Sequence, residues 1–433
     1  MSRSHATRFA RALRATLGFT SVTARGREIR HCRRLRDVTP QRLVCALVEA
    51  LGASRVETIA DILRTFNAQT GLRTQYKAFY NRLAQPAFPR FMQQIYQDIL
   101  RNLSVNILRP AADGKLAHFK DVVVQDGSSF AVHDALARTF GGRFTTIRPA
   151  AVEVHTFLSL FHDQVIDVAV APDKAAERQF LPPAETLTGK LLLADRGYQS
   201  LNYWAAVHAA GGFFVMRGTH DLNPRIRTVR GPHGVLPRFA GRRLQEVIHA
   251  FPRRRLDVDV EWTRAGGQTV RLRLVLIWIR PERAYTVLVS NVSRRVLTPR
   301  QVATLYRLRW QIELVFKEWK SYANLHAFSS ANPAIVEGLI WASLCAAALK
   351  RSLAHVAQRS HAGKAISTRV VAMCGVHILP KLLRSALTGF RQLETIVHDI
   401  LRYLWDNAGR AHPQRDRLRG RMRFGLDYVG VRA

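Results

Sequence analysis

The sequence predicts an α/β protein whose mixed sheet is interrupted by a β-rich insertion and flanked by helical regions at both ends. Two observations predict this order. Apolar runs of strand length, bounded by Gly, Pro and Asp, fill most of residues 121–292, whereas both flanking regions repeat apolar residues at helical spacing. Hydrophobic residues make up 47% of the 433 residues, which is ample for a core, and the length predicts more than one domain.

The chain is strongly basic. Its formal net charge of +35 arises from 66 Lys and Arg against 31 Asp and Glu. Such a surplus predicts a polyanionic partner, most simply nucleic acid. Codon bias in a GC-rich genome would explain Arg in preference to Lys, but it does not readily explain the excess of positive charge. The 4 cysteines lack zinc-ligand spacing and form no disulfide framework, which fits a reducing cytoplasm.

Residues 1–115 are predicted to form a helical DNA-binding region. Apolar periodicity marks a helix at 43–52, and helices at 56–66 and 73–84 flank a loop with the sequence NAQTG. This pair is compatible with a helix-turn-helix motif, and a plain helical bundle with a polar outer face is the alternative. The second helix offers six side chains to DNA: Arg73, Gln75, Lys77, Tyr80, Asn81 and Arg82.

Residues 116–218 are predicted to form the first part of the sheet. Strands are expected at 121–132, 157–162, 165–172, 190–195 and 211–218, with a helix at 200–210 and a further helix at 175–187 interrupted by two prolines. Three strands that can pair antiparallel, followed by strands alternating with helices, indicate a mixed sheet.

Residues 219–296 are predicted to be the β-rich insertion. Its first half is expected to be loop-like, and its second half to hold strands at 256–263, 269–279 and 284–292. Residues 331–433 are predicted to be helical and to end in a basic tail at 410–425. The most apolar segment, 334–349, contains a glutamate and is too short to span a bilayer comfortably, so it is predicted to be a buried helix with no membrane role.

Residues 297–330 contain one helix, predicted to run uninterrupted over 298–322. Thr298 is a good N-cap, with Pro299 at the first helical position and Gln301 completing a capping box. On this helix an acid, two bases and a phenol share one stripe because they recur at offsets of three, four and seven: Tyr306, Arg309, Glu313 and Lys320. Taken alone, the stripe is compatible with an ordinary solvated face.

Three carboxylates are the candidates for catalysis. Asp126 follows the strand-like run VVVQ, Asp195 follows LLLA, and Glu313 lies on the helix expected to pack against the sheet. Carboxylates that converge at strand ends suit Mg²⁺ or Mn²⁺, and two such ions can promote displacement at a phosphodiester. Each aspartate alone is weak evidence because DG and DRG are also common turn sequences. Together, in so basic a chain, the three predict chemistry on nucleic acid.

The stretch YRLRWQIELVFKEWK matches the pattern Y-x2-R-x3-E-x6-K without departure. With QDGSSF around Asp126, LLLADRGY around Asp195 and LVSNV before the helix, the chain resembles the DDE transposases of bacterial insertion sequences. The closest group is the insertion sequence 4 family, which carries this YREK signature. The resemblance covers roughly residues 118–330, and it implies an RNase H-like catalytic core interrupted by the insertion.

The resemblance also implies the chemistry. Two Mg²⁺ ions, with Mn²⁺ able to replace them, would be bound by Asp126, Asp195 and Glu313. Tyr306, Arg309 and Lys320 would bind phosphates near the transposon end. The implied reaction is cut-and-paste transposition through a hairpin intermediate, acting on terminal inverted repeats and target DNA. The implied assembly is a homodimer paired through the C-terminal helices, in the cytoplasm and associated with the nucleoid.

The hairpin pathway flips a base, which requires an aromatic platform. Trp310 in the signature helix is the first candidate, and Trp262 and Trp278 on the insertion strands are the others. His155 is predicted to be structural and is left out of the catalytic set. Two other functions remain open: a DNA-binding regulator of transposition with a decayed site, and an RNase H-fold nuclease unrelated to mobility.

Overall fold

A computed structural model describes residues 3–111, 114–264, 267–325, 328–360, 363–412 and 426–428. It shows one large mixed sheet with helices packed at both ends of the chain, which confirms the predicted fold class. The predicted basic tail at 410–425 lies almost entirely outside the described residues. The helices within the described ranges are α1 (Arg3–Leu17), α2 (Phe19–Glu28), α3 (Pro40–Ala53), α4 (Ile59–Thr70), α5 (Tyr76–Leu83), α6 (Phe88–Asn102), α7 (Leu201–Ala209), α8 (Leu244–Val247), α9 (Pro299–Tyr306), α10 (Trp310–Tyr322), α11 (Pro333–Ser360), α12 (Thr368–Met373), α13 (Gly375–Leu387) and α14 (Leu393–Asn407).

The strands follow the same chain order. They are β1 (Leu108–Pro110), β2 (Val122–Ala131), β3 (Ala151–Ser159), β4 (Gln164–Pro172), β5 (Leu191–Ala194), β6 (Phe213–Arg217), β7 (Arg225–Gly231), β8 (Gly234–Val235), β9 (Leu256–Thr263), β10 (Thr269–Ile279), β11 (Ala284–Ser290) and β12 (Leu426–Tyr428). β1 pairs with β12, and the other ten form one sheet in the order β4-β3-β2-β5-β6-β11-β10-β9-β7-β8. β2, β5 and β6 run parallel at its centre.

The insertion continues the central sheet. β11 pairs antiparallel with β6, so β7 to β11 belong to the same ten-stranded sheet as the core strands. The first half of the insertion was predicted to be loop-like, and this is wrong because it contains β7 and β8. In β7 the buried Ile226 and Val229 are three residues apart, because a bulge between Ile226 and Thr228 shifts the pairing with β9 and hides the usual alternation.

Four further local predictions are corrected. The strand predicted at 157–162 is β3, which begins earlier, at Ala151, and ends at Ser159. The helix predicted at 175–187 is replaced by two 3₁₀ turns, since consecutive prolines at 182 and 183 break it. The predicted loop NAQTG is helical up to Thr70, where Gly71 with φ 72° ends α4. A 3₁₀ turn at Arg307–Arg309 divides the predicted 298–322 helix into α9 and α10.

The helix α11 is the centre of the helical part. It packs against α3 and α6 from the N-terminal region and against α12 and α14 from the C-terminal region. Its length and composition would allow it to cross a membrane, but 72% of its most apolar window is buried inside the protein. This agrees with the buried helix predicted at 334–349.

Lys350 of α11 connects three helices. Its side chain is buried, and Nζ donates to the carbonyl oxygens of Gly52 at 2.8 Å, Tyr322 at 2.5 Å and Ala372 at 3.3 Å. These carbonyls lie at the C-terminal ends of α3, α10 and α12, where a cation is favourably placed. The end of α10 is thereby fastened to both helical regions.

A buried ion pair fixes the start of α9. Arg273 of β10 makes a bidentate pair with Asp257 of β9, with both bonds at 2.9 Å. Its remaining guanidinium nitrogen donates to the carbonyl oxygens of Val292 and Leu297. The segment that leads into α9 is therefore held on the insertion strands.

Stability is predicted to fall at low pH through His31. Its ring is 1% exposed and stacks on Phe91, and within the described chain neither ring nitrogen has a hydrogen-bond partner. Burial, with a smaller contribution from Arg82, lowers its pKa from 6.5 to about 3. In the unfolded chain His31 is protonated below pH 6.5, whereas in the folded protein it stays neutral down to about pH 3. Stability therefore decreases as the pH falls from 6.5 to about 3.

We expect His31→Phe to keep the ring stacking and to remove this loss, which amounts to about 2 kcal/mol of unfolding free energy at pH 5. Denaturant unfolding curves at pH 7 and pH 5 measure the difference. His249→Gln, at an exposed histidine, is the control and should keep the wild-type pH dependence. An equal loss of stability in wild type and His31→Phe would contradict the assignment.

Candidate active site

Asp126 and Asp195 lie side by side on neighbouring strands. The parallel pairing of β2 with β5 ends at the register pair Gln125 and Ala194, and the two aspartates directly follow these residues in the chain. Their backbones are therefore expected about 4.8 Å apart, the spacing of adjacent strands. Asp195 follows the end of β5 as predicted. Asp126 does not end its strand, because the antiparallel pairing of β2 with β3 continues beyond Asp126 as far as Ala131.

The third carboxylate, on α10, is joined to this pair through Arg309 of the preceding 3₁₀ turn. Arg309 donates from one guanidinium nitrogen to the Asp126 carboxylate and from the other to Glu313 Oε1, at 2.9 Å. Tyr306 donates its hydroxyl to Asp195 Oδ1 at 3.1 Å. The structure thus brings together five of the predicted site residues. Tyr306 and Arg309 hold carboxylates here, and their binding to phosphate stays a prediction.

The electrostatics show that the carboxylates share one environment. Burial and, to a smaller extent, the negative charges of Asp195 and Glu313 together raise the pKa of Asp126 to about 6, against the opposing charge of Arg309. Burial lowers the pKa of Arg309, but Asp126, Tyr306 and Asp195 more than reverse this. Burial also raises the pKa of the Tyr306 hydroxyl, so it remains a proton donor to Asp195.

The donor set suits a divalent cation, but Arg309 fills the position between two of the donors. Across the residues that the structure describes, no three Asp, Glu, His or Cys side chains are arranged to hold one metal ion. At this site the guanidinium bridges Asp126 and Glu313. Mg²⁺ usually binds one or two protein carboxylates together with substrate phosphates, so the residues fit such an ion once the guanidinium moves.

Lys320 of α10 contacts β2 farther along that strand. Its Nζ donates to the carbonyl oxygen of Ser129 at 3.0 Å, three residues beyond Asp126, and so it stands apart from the three carboxylates. Burial, and then the charge of Arg148, lowers its pKa. The position is next to the site and beside an exposed arginine.

Among the candidate tryptophans, Trp310 is the one next to Arg309 and it is 50% exposed. Lys317 Nζ lies 5.0 Å from the centre of its ring. Trp262 is half-buried with its ring 6.0 Å from that of Trp204. Trp278 packs edge-on against Tyr285 at 5.0 Å. Both insertion tryptophans therefore have packing roles in this structure.

Sequence reasoning missed a second group of charges beside the aspartates. Arg143 donates to Glu153 at 3.0 Å and to Glu177 at 3.3 Å. Glu153 lies against Gly127 and Glu177 against Gly197, so closely that a Cβ at either glycine would clash with the carboxylate. The glycines of the QDG and DRG sequences thus leave room for these two acids. A single glutamate in the apolar run AVEVHTF was the available signal.

Glu153 and His155 are buried together on β3. Burial raises the pKa of Glu153 to about 7, with Arg143 opposing and nearby acids including Asp126 adding to the rise. His155 is 1% exposed, stacks on Phe180 and contacts the Tyr198 hydroxyl through Nδ1 at 3.1 Å. Burial lowers its pKa to about 4, so it is neutral near pH 7. These contacts agree with the structural role predicted for it.

Comparison with known proteins identifies the family of this site. The sequence profile described as "Transposase DDE domain" matches residues 117–349. The transposase for insertion sequence element IS231B of Bacillus thuringiensis subsp. berliner is 22% identical over 267 residues, which cover 53% of this chain and 56% of the relative. The corresponding protein for IS231E, of Bacillus thuringiensis subsp. finitimus, is 21% identical over 341 residues, or 70% of both chains.

A shorter stretch is more similar. The putative transposase InsL for insertion sequence element IS186A of Escherichia coli strain K12 is 40% identical over 65 residues, covering 15% of this chain and 18% of the relative. The chain spans about half the length of several of the known transposases that it matches. The predicted resemblance and the RNase H-like core that it implies are confirmed. Because the profile matches more than half of its length, the chain belongs to the transposase DDE domain family.

Proposed function

We propose that this protein is the transposase of an insertion sequence and moves it by cut and paste, through a DNA hairpin and strand transfer. The observation that carries the proposal is the adjacent placement of Asp126 and Asp195, with Arg309 linking Asp126 to Glu313. The family match, the transposase relatives and the net charge of +35 support it.

Asp126, Asp195 and Glu313 would hold the divalent metal, Mg²⁺ with Mn²⁺ as a substitute. When bound with DNA phosphate oxygens, two such ions promote attack on phosphorus and stabilise the leaving oxygen. Tyr306 keeps the Asp195 carboxylate oriented through its hydrogen bond. Trp310 offers an exposed ring face beside Arg309 on which an unpaired base could stack.

Arg309 couples DNA binding to metal binding in this proposal. Without DNA, its guanidinium neutralises Asp126 and Glu313. A DNA phosphate can accept two hydrogen bonds from one guanidinium and draws it away from the carboxylates. The two carboxylates then face each other with uncompensated charge, which favours a divalent cation. The carboxylates would thereby hold a divalent cation only once DNA is bound.

The helical N-terminal region would supply further DNA contacts. Four of the predicted contact residues are exposed on α5 or just before it: Arg73, Gln75, Lys77 and Asn81. Arg82 instead donates to the His31 carbonyl, and Tyr80 stacks on Tyr76. The terminal repeats and the target DNA remain proposed partners, as do dimerisation through the C-terminal helices and action on the nucleoid.

Incubation with duplexes cut from the genomic DNA on either side of the gene tests the function. We expect Mg²⁺-dependent cleavage at one phosphodiester position per end, with a hairpin product, and no cleavage with EDTA. Binding without cleavage by the wild type would favour the decayed regulator. Cleavage of the flanks and of unrelated duplexes at equal rates would favour a nuclease unrelated to mobility.

A further inference from the structure

Residues 143–148, with the sequence RFTTIR, form a tight turn between β2 and β3. Phe144 is 63% exposed and Ile147 is 81% exposed, the highest values for large apolar side chains in the described chain. The Phe144 carbonyl accepts from the amides of Ile147 at 3.1 Å and Arg148 at 2.7 Å, which closes the turn. We refer to Phe144 and Ile147 as the apolar tip.

The turn has a firm base. Gly142 donates to the Pro149 carbonyl at 2.9 Å, and the Ala151 amide donates to the Phe140 carbonyl at 2.9 Å. The Arg143 amide donates to Asp173 Oδ2 at 2.8 Å. The apolar tip is therefore held out from the protein by a bonded hairpin base, and its exposure is a property of the fold.

The base of the turn adjoins the active site. Arg143 binds Glu153 and Glu177, which lie against Gly127 and Gly197. Gly127 follows Asp126 directly, and Gly197 comes two residues after Asp195. On the other arm, Arg148 is close enough to lower the pKa of Lys320, after the larger effect of burial. The base of the turn that carries the apolar tip is thus joined to the segments that bear both aspartates, and its other arm lies near Lys320 of α10.

The surroundings select DNA as the occupant. Arg148 is exposed at one end of the turn and Lys320 lies nearby, whereas the guanidinium of Arg143 at the other end is bound by acids. A phosphate bound by Arg148 would leave the apolar side chains facing base pairs, the arrangement of wedges that unstack a duplex. A hydrophobic protein partner would instead have to desolvate these charges.

We propose that Phe144 and Ile147 insert between base pairs next to the cleaved phosphate and open the end of the duplex. This rests on the proposed function, because it assumes that DNA ends are the substrate of Asp126, Asp195 and Glu313. The wedge separates the strands so that one of them can reach the carboxylates. Unstacking costs a few kcal/mol per step, which the contacts at the tip offset.

The test uses the flanking duplexes with 2-aminopurine at the base pairs next to the cleavage site, in Ca²⁺ to prevent turnover. We expect the wild type to raise the fluorescence severalfold and Phe144→Ser/Ile147→Ser to leave it unchanged at saturating protein. In Mg²⁺, the double variant should cleave the paired duplex about a hundredfold more slowly. A duplex with three mismatched pairs at that position should restore its rate to near that of the wild type.

Ile166→Ser/Val235→Ser is the matched control, since these side chains are 44% and 52% exposed on β4 and β8, and it should behave as wild type. A normal fluorescence rise with the tip variant, or no rescue by the mismatches, overturns the wedge. A change in the sedimentation of the tip variant, with a fluorescence rise equal to that of the wild type, also overturns it, because the tip would then be a contact with a second copy of the chain. If the wild type opens the duplex without cutting it, the transposase function is refuted and the wedge stands. If the wild type cuts the duplex without opening it, the wedge is refuted and the transposase function stands.

Discussion

Asp126→Asn, Asp195→Asn and Glu313→Gln are each expected to abolish Mg²⁺-dependent cleavage of the flanking duplex while DNA binding survives. Each change removes one negative ligand with almost no change in volume. Loss of a metal ligand forfeits several kcal/mol of transition-state stabilisation, which corresponds to about a thousandfold or more in rate. Single-turnover cleavage rates and fluorescence anisotropy on the same duplex measure the two properties.

Glu318→Gln is the matched control on the same helix. Glu318 lies five residues beyond Glu313 and binds Arg351 and Thr368, which belong to α11 and α12. We expect it to cut DNA within a few-fold of the wild type. Circular dichroism melting checks that all four variants are folded. Wild-type cleavage by any of the three site variants would remove that residue from the catalytic set.

Arg309→Ala is expected to bind Mn²⁺ more tightly than the wild type when DNA is absent. The variant removes the guanidinium that bridges Asp126 and Glu313, so a metal ion no longer competes with two charge-assisted hydrogen bonds. Such bonds contribute about 1.5–3 kcal/mol each, and we expect an increase in affinity of about tenfold or more. Titration followed by the electron paramagnetic resonance signal of free Mn²⁺ measures it without relying on catalysis.

The same variant should bind and cut the flanking duplex less well, because the DNA phosphate would lose the Arg309 guanidinium as its partner. Arg307→Ala changes an exposed arginine two residues away and should leave metal affinity unchanged. Arg309→Lys keeps the charge but not the bidentate fork, and an intermediate metal affinity is expected. Equal Mn²⁺ affinity in the wild type and Arg309→Ala would show that the guanidinium does not compete with the metal ion for the carboxylates.

Local patterns in the sequence were sufficient for much of the fold. The strands β9 and β10 have the predicted bounds because their alternating polar and apolar residues are explicit. The N-cap and capping box predicted at Thr298 are present. The three carboxylates could be singled out because two follow apolar runs and the third lies in a helical signature, and the contacts of Arg309 and Tyr306 place all three together.

What the sequence did not reveal depends on pairing between distant segments. The strand position of Asp126 is set by β3, whose partner residues lie about thirty positions away. The bonds of Arg143 to Glu153 and Glu177 join a turn, a strand and a 3₁₀ turn, and no local spacing encodes them. Nor does any local pattern show that β11 pairs with β6 and makes the insertion part of the central sheet.

The most direct test of the account is anomalous diffraction from Mn²⁺ in crystals of the protein bound to a flanking duplex that already ends at the cleaved 3′-OH. The account predicts manganese peaks within coordination distance of Asp126, Asp195 and Glu313, with the Arg309 guanidinium moved onto a phosphate. Manganese bound elsewhere, with Arg309 still bridging Asp126 and Glu313 in the DNA complex, would contradict it.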